Sequence, residues 1–155
     1  MPENRLALEV SMRTGLRIGD VLQLRPAQLQ MERFTVHEEK TAKSKRVYLP
    51  RELRDDLLLI SGKFWVFPGR NDPRKHRTRQ AVYKDLKRAA ALFRVKNSQI
   101  SPHTARKIYA VNALGKYGSI AKVKQLLNHS SEAVTLIYAM ADVITARKLK
   151  GKKHL

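Results

Sequence analysis

Apolar residues recur at helical spacing along most of the chain. In residues 4–14 they repeat every three or four positions and stop at Gly15, a residue typical of helix C-termini, and this predicts a first helix. A shorter apolar segment, IGDVLQL, predicts a second helix that ends before Pro26. Residues 51–60 predict a third helix, which begins after a proline and stops at a Ser–Gly pair.

Between the second and third helices the pattern changes to that of strands. The segments RFTVHE and KRVYLP, residues 33–38 and 45–50, predict a hairpin whose strands are joined by the polar segment EKTAKS. Farther on, KFWVF, residues 63–67, predicts a short third strand. The expected sheet is therefore small and antiparallel.

The second half of the chain has a helical pattern throughout. Ser101 and Pro102 form a typical helix start, while Gly118 and the turn 128–130 supply breaks. The predicted fold class is mostly α with one small antiparallel sheet (α+β), in a single domain over residues 1–155. The predicted helices of this half span residues 80–94, 102–117, 119–128 and 131 to about 140, followed by a basic tail at 141–155.

Charge is the strongest global signal in the composition. Lys and Arg number 32 against 13 Asp and Glu, which gives the 155-residue chain a formal net charge of +19. Such a domain is expected to bind a polyanion, because releasing condensed counterions from phosphates supplies affinity without sequence preference. No segment combines a basic face with a Trp, Phe and Leu face, so a membrane surface is disfavoured, whereas charge alone leaves a structural RNA-binding protein open.

The absence of cysteine from the sequence narrows the chemistry. It excludes disulfides, thiolate catalysis and cysteine zinc sites, and fits a reducing cytoplasm or nucleoid. No Asp, Glu and His cluster has metal-ligand spacing, so a metal-dependent nuclease is disfavoured and no cofactor is expected. Metal-free phosphodiester chemistry instead needs fixed guanidinium groups, a nucleophile and a proton donor, and Ser, Thr and Tyr are the available nucleophiles. His103 and Arg106, three positions apart on a predicted helix, leave its same face and suit such a site.

Several short motifs occur in an order that is more specific than any of them alone. TGLRIGDVLQL, KTAKSKRVYLP, ISPHTARKIYA, LLNHSS and TLIYA follow one another from Thr14 to Tyr138. Together they resemble the tyrosine recombinase (phage integrase) family, which includes the integrases and the Xer-type recombinases. The resemblance implies the catalytic-domain fold of the DNA breaking-rejoining enzymes, double-stranded DNA as substrate and self-association into a synaptic tetramer.

The resemblance also implies the role of each motif residue. Arg17 and Arg106 match the two arginines that clamp the scissile phosphate, and His103 matches a general acid/base partner. His129 matches a position that hydrogen-bonds the phosphate. Tyr138 matches the nucleophile that forms a 3′-phosphotyrosine link, so that rejoining needs neither ATP nor a metal ion.

In this family a hairpin lysine protonates the 5′-hydroxyl leaving group, and the resemblance offers two matches for it. Lys40 begins a KT pair and fits best, but the segment to Pro50 is longer than the usual pattern, so Lys43 is a rival. Asp20 falls where the family often has a supporting glutamate. Further predicted DNA contacts lie on the hairpin and on the loop before residues 80–94, namely Lys43, Lys45, Arg74, Lys75, Arg77 and Arg79.

The TGLR motif follows closely on Met1, which leads us to expect an isolated catalytic domain without the family's N-terminal core-binding domain. Three alternatives remain open from the sequence: a type IB topoisomerase, a basic DNA-binding module without catalysis, and an inactive remnant of a recombinase. The segment SIAKVKQLLNHSSEAVTLIYAM does scan as helix–turn–helix, but its second helix offers almost no Arg, Asn or Gln to read bases. The expected location is the bacterial cytoplasm, on the nucleoid.

Overall fold

A computed structural model describes residues 2–93 and 100–128 of the chain. These residues form six α-helices, one 3-10 helix and a two-stranded sheet, which confirms the predicted fold class. In chain order the elements are α1 (Pro2–Thr14), α2 (Ile18–Leu22), the 3-10 helix Pro26–Gln30, β1 (Arg33–Glu38), β2 (Lys43–Tyr48), α3 (Arg51–Ile60), α4 (Arg79–Leu92), α5 (Pro102–Tyr117) and α6 (Ile120–Leu126).

The helix boundaries follow the predicted start and stop signals. Gly15 after α1 and Gly118 after α5 have φ values of 70° and 63°, in the left-handed region that glycine adopts without steric cost. At the start of α5, the Thr104 hydroxyl accepts a hydrogen bond from the Ser101 amide. The predicted helix at 131–140 and the basic tail at 141–155 lie outside the described residues.

The hairpin is antiparallel, as predicted, but β2 begins at Lys43 and ends at Tyr48, earlier than expected. In β1 the residues alternate strictly between exposed and buried, so that Phe34, Val36 and Glu38 all face inward. Across the hairpin Val36 pairs with Lys45. One lysine of β2 is thereby placed on the inner face of the sheet.

The predicted third strand at residues 63–67 is wrong. Strand assignment within residues 2–93 and 100–128 is confined to the hairpin and an isolated bridge between Pro68 and His76. The backbone of 63–67 is used by loop contacts instead, since Val66 N donates to Leu24 O and Phe67 O accepts from Arg77 N. The apolar side chains of Val66 and Phe67 are fully buried, which accounts for the strand-like sequence pattern.

Two hydrophobic clusters support the fold. The larger one joins α1, α2, the hairpin, α3 and the loop residues Val66 and Phe67, and a smaller one joins α5 to α6. Helix α1 packs along α5, and Gly15 lies directly against the ring of Tyr109. This close approach brings the turn after α1, which carries the first predicted arginine, next to the helix that carries the second.

Candidate active site

A pocket of about 440 Å³ opens where the N-termini of α2, α4 and α5 meet the turn of the hairpin. It gathers Arg17, Lys40 and His103, which are far apart in the sequence and were predicted to share a site. Arg79, a predicted DNA contact, lines the same pocket. The remaining lining residues are Ile18, Gly19, Asp20 and Glu39.

Arg17 occupies the N-cap position of α2 and is only 8% exposed. The turn that positions it depends on Gly15 and on Thr14, whose hydroxyl accepts from the Leu16 amide at 3.2 Å. The Arg17 guanidinium donates through Nη1 to Glu38 Oε2 at 3.0 Å. A buried carboxylate of β1 therefore fixes one end of this guanidinium.

Arg106 lies deeper than a helix surface position suggests, with an exposure of 1%. Its Nη1 donates to the Gly15 carbonyl, and its Nη2 donates to the Leu127 carbonyl at 2.9 Å. His103, one turn earlier on α5, is exposed at the pocket. The structure thus places the histidine at the pocket, whereas the arginine is buried behind it, against the turn after α1.

Lys45 was predicted to contact DNA, but the structure places its amine largely inside the protein. Its Nζ donates to the Thr14 carbonyl at 2.6 Å and lies 5.2 Å from the centre of the Tyr109 ring. Burial and the nearby Arg106 guanidinium lower the pKa of Lys45 from 10.5 to about 8, although Glu38 opposes the shift. Lys45 therefore lies on the inner face of the hairpin, near Arg17 and Arg106. The sequence signal for this placement is its spacing of two from the buried Val47, which puts both side chains on one face of β2.

Two carboxylates are embedded among these cations. Glu38 is 1% exposed and Asp20 is 4% exposed. Asp20 Oδ1 accepts a hydrogen bond from the Glu39 amide at 3.0 Å and so ties α2 to the end of β1. Burial raises the pKa of Asp20, and the neighbouring Glu38 carboxylate acts in the same direction. The motif resemblance anticipated Asp20 as a supporting acid but did not single out Glu38.

The other predicted DNA contacts have different surroundings. Arg77 is 7% exposed and donates through Nη1 to Asn4 Oδ1 at 2.8 Å, so its guanidinium joins the loop before α4 to helix α1. Arg74 is exposed and pairs with Asp72 at 3.1 Å. Lys75 is exposed and lines a second groove of about 760 Å³, and Lys43 is exposed at the first position of β2. Arg77 is held in place by the fold, whereas the other three present charge to solvent.

His129 and Tyr138 lie outside the described residues, so their predicted roles stay predictions. Within the described ranges no group of three or more His, Cys, Asp and Glu side chains has the arrangement of a metal site. Searched over the same ranges, no helix is both long enough and apolar enough to cross a bilayer.

Comparison with known proteins identifies the family. The sequence profile of the phage integrase family matches residues 2–143. The chain is 29% identical to the tyrosine recombinase XerD of Brucella suis over 158 aligned residues, which cover 95% of this chain and 51% of XerD. It is 24% identical to the integrase of Escherichia phage P2, with coverage of 96% and 43%. The chain therefore spans about half the length of these curated relatives.

Solved structures give the same result for the fold. A lambda integrase dimer bound to a COC′ core site has a TM-score of 0.73 at 19% identity, with 87% of this chain and 52% of that chain covered. The XerH site-specific recombinase in a pre-cleavage complex with difH has a TM-score of 0.67 at 20% identity, with coverage of 86% and 41%. The fold is that of a tyrosine recombinase catalytic domain. The chain belongs to the phage integrase family of tyrosine recombinases.

Proposed function

We propose that this chain is the catalytic domain of a site-specific DNA recombinase, which cleaves and rejoins double-stranded DNA through a 3′-phosphotyrosine intermediate. The observation that carries the proposal is the pocket in which Arg17, Lys40 and His103 converge. Behind it, Lys45 interacts electrostatically with both Arg17 and the buried Arg106. Phosphoryl transfer creates negative charge on the non-bridging oxygens, and preorganised guanidinium groups stabilise that charge without a metal ion.

In the proposed step, the phenol oxygen of Tyr138 attacks the scissile phosphorus. A bond forms between the phenol oxygen and the 3′-phosphate, and the bond to the 5′ oxygen breaks. His103 receives the phenol proton, while a lysine of the hairpin supplies a proton to the departing 5′ oxygen. Arg17 and Arg106 neutralise the transition state, and His129 adds a hydrogen bond to the phosphate. Rejoining is the reverse of these events.

Lys40 is the proposed proton donor, because its side chain lines the pocket with Arg17 and His103. A specific observation favours Lys45 as a second candidate, since a lysine with a pKa of about 8 gives up its proton near neutral pH more readily than an ordinary lysine. Lys43 remains the third candidate. A DNA substrate with a bridging sulfur at the scissile 5′ position separates the three, because a thiolate departs without protonation.

We expect the donor's alanine variant to cleave the ordinary substrate slowly and the sulfur substrate at the wild-type rate. Lys40→Ala, Lys43→Ala and Lys45→Ala are compared under single-turnover conditions. If all three cleave the oxygen substrate normally, the donor does not belong to the hairpin. If a variant is slow on both substrates, its lysine contributes to binding or folding instead.

The covalent intermediate itself is tested with a nicked suicide DNA. The wild-type chain should form a protein–DNA adduct that is insensitive to EDTA, and Tyr138→Phe should form none. Arg17→Ala should bind the DNA but lose at least about a hundredfold in adduct formation, the scale set by removing one transition-state donor. Tight binding without any adduct would favour a DNA-binding module, and supercoil relaxation without strand exchange would favour topoisomerase activity.

The proposal includes assembly into a tetramer on two DNA sites and a place on the bacterial nucleoid. The basic tail at 141–155 is the segment we assign to contacts between subunits. Analytical ultracentrifugation of the chain with and without paired DNA sites tests the assembly. A complex with a single chain per site at every concentration would contradict it.

A further inference from the structure

Glu38 occupies a position where the fold favours an apolar side chain. It follows Phe34 and Val36 on the inner face of β1, and all three are buried. Taking a carboxylate out of water costs free energy unless partners compensate it. A residue whose task was to fill the inner face of the sheet would be apolar here, so the charge of Glu38 requires another explanation.

The contacts of Glu38 point to that explanation. Its Oε2 accepts a hydrogen bond from Arg17 Nη1 at 3.0 Å and another from the Thr41 hydroxyl at 3.0 Å. The Thr41 oxygen in turn accepts from the Lys43 amide at 3.4 Å, within the turn of the hairpin. One carboxylate oxygen therefore joins the predicted phosphate-binding arginine to the turn that carries Lys40.

A second carboxylate fixes the same junction from the other side. Asp20 on α2 accepts from the amide of Glu39, the residue that follows Glu38. Asp20, Arg17, Arg106 and Lys45 all interact electrostatically in this cluster with Glu38 or with one another. The Glu38 side chain contacts both the Arg17 guanidinium and the turn of the hairpin.

We propose that Glu38 is a positioning residue for strand cleavage, whose buried carboxylate holds the Arg17 guanidinium toward the scissile phosphate and fastens the hairpin turn beside it. This inference rests on the proposed function, because it assigns Glu38 an effect on the phosphate clamp. Glu38 acts through Arg17 and Thr41 and does not itself touch the reacting atoms.

The charge balance gives this role a distinctive signature. Replacing Glu38 by glutamine keeps the size of the side chain but removes a negative charge from a site that binds phosphate. DNA affinity should then be unchanged or tighter, since the local potential becomes more positive. Cleavage should nevertheless slow, because a misplaced Arg17 guanidinium stabilises the transition state less well than one held in position. A residue needed only for folding would reduce binding and cleavage together.

The experiment compares E38Q with the matched control E32Q, which removes an exposed glutamate at the opposite end of the hairpin. DNA affinity is measured by fluorescence anisotropy, adduct formation on saturating suicide DNA by single-turnover kinetics, and folding by thermal unfolding. We expect E38Q to cleave at least about tenfold more slowly, with a Kd within about twofold of wild type or lower. E32Q should match wild type in all three measurements.

Thr41→Val provides a second variant in case E38Q fails to fold. It removes only the hydroxyl that links the turn to Glu38, and we expect a smaller loss of cleavage with unchanged affinity. The double variant should be no slower than E38Q, since both act through one carboxylate. Normal cleavage by both E38Q and Thr41→Val, or a loss of cleavage matched by an equal loss of affinity, would overturn the proposal.

A readout that does not depend on catalysis separates this inference from the proposed function. The side-chain NMR signals of Arg17 should show restricted guanidinium rotation in the wild type and faster rotation in E38Q. If the wild type forms no adduct while these signals change as expected, the proposed function fails and the positioning contact stands. If the wild type forms the adduct and the Arg17 signals are the same in E38Q, the positioning role fails alone.

Discussion

Arg77 precedes α4 and Arg79 is its first residue, yet the surroundings of these two arginines are opposite. Arg77 is buried and bonded to Asn4, which also donates to Asp85 at 2.5 Å, whereas Arg79 lines the pocket beside Arg17. Sequence spacing alone treats both as members of one basic loop. Because Arg77 is buried, we assign it a role in stabilising the fold, whereas Arg79 is placed to bind a phosphate in the pocket.

We therefore expect Arg77→Ala to lower the free energy of unfolding by about 1–3 kcal/mol, because Asn4 loses a buried partner. Arg79→Ala should change stability by less than about 0.5 kcal/mol but weaken DNA binding. Urea unfolding and fluorescence anisotropy on the two variants test this pair. Equal effects of both substitutions on stability would contradict the assignment.

Lys45 makes stability depend on pH in a defined direction. Its pKa is lowered from 10.5 to about 8 in the folded chain, so between these values the unfolded chain holds more protons on this amine than the folded chain. The free energy of unfolding should therefore rise with pH over this interval, as the cost of burying the charged amine disappears. Relative to Lys45→Met, the gain in the wild type should reach about 1–3 kcal/mol.

Urea unfolding of both proteins at pH 7.5 and pH 10 measures this difference and removes the contribution of the other lysines and tyrosines. A difference that stays constant across the interval would show that Lys45 titrates as an ordinary surface lysine. A difference that falls with pH would show that the folded state favours the charged amine.

The predictability of the site differs from residue to residue. Arg17, Lys40 and His103 were expected to share a pocket from motif order, and they do. Lys45 and Glu38 follow from the alternation of the strands, which places them on the same face as Val47 and Val36. Their chemistry does not follow from that alternation, because a pKa of about 8 arises from neighbours on α1 and α5 that only the folded chain brings near.

At the scale of elements, the turn between α1 and α2 is the joint on which the site depends. A Cβ atom on Gly15 would lie 2.5 Å from Cδ1 of the Tyr109 ring, and the φ of 70° disfavours any side chain there. Gly115, within α5, has no neighbour within 4 Å of the equivalent position. The two glycines thus form a matched pair with opposite constraints.

We expect Gly15→Ala to lower the free energy of unfolding by about 2–4 kcal/mol, from steric overlap and the left-handed backbone together. Gly115→Ala should raise it by about 0.5–1 kcal/mol, because alanine is the better helix former. Thermal or urea unfolding of both variants is sufficient. A tolerated Gly15→Ala would mean that α1 and α5 pack less closely than the structure shows.

Helices and the hairpin were predictable because each has a local signal. The apolar periods and the capping residues fixed α1, α3 and α5 to within a few positions. The failure at residues 63–67 has a clear cause, since a strand needs an edge to pair with and its partner is not encoded locally. Trp65 instead packs under the Arg25 guanidinium, whose Cζ lies 3.4 Å from the centre of the ring. This contact joins segments that are distant in the sequence.

At the scale of the whole molecule, the net charge of +19 dominates the expected behaviour toward DNA. Each neutralised phosphate releases counterions, so affinity should fall steeply and linearly on a log–log plot against salt concentration. For about six phosphate contacts, raising salt from 50 to 200 mM should weaken binding by roughly a thousandfold. Anisotropy titrations over this range give the slope, and a slope near zero would argue against a phosphate-dominated interface.

Arg106 also has a consequence for how the molecule opens. Its single guanidinium clasps carbonyl oxygens from the two ends of the described fold, at Gly15 and at Leu127. Fraying at the C-terminus of α6 would break the hydrogen bond from Arg106 to the Leu127 carbonyl. The guanidinium would then hold the turn after α1 less firmly. Local unfolding near residue 127 should accordingly loosen the backbone near residue 15, because the same guanidinium is hydrogen-bonded to both.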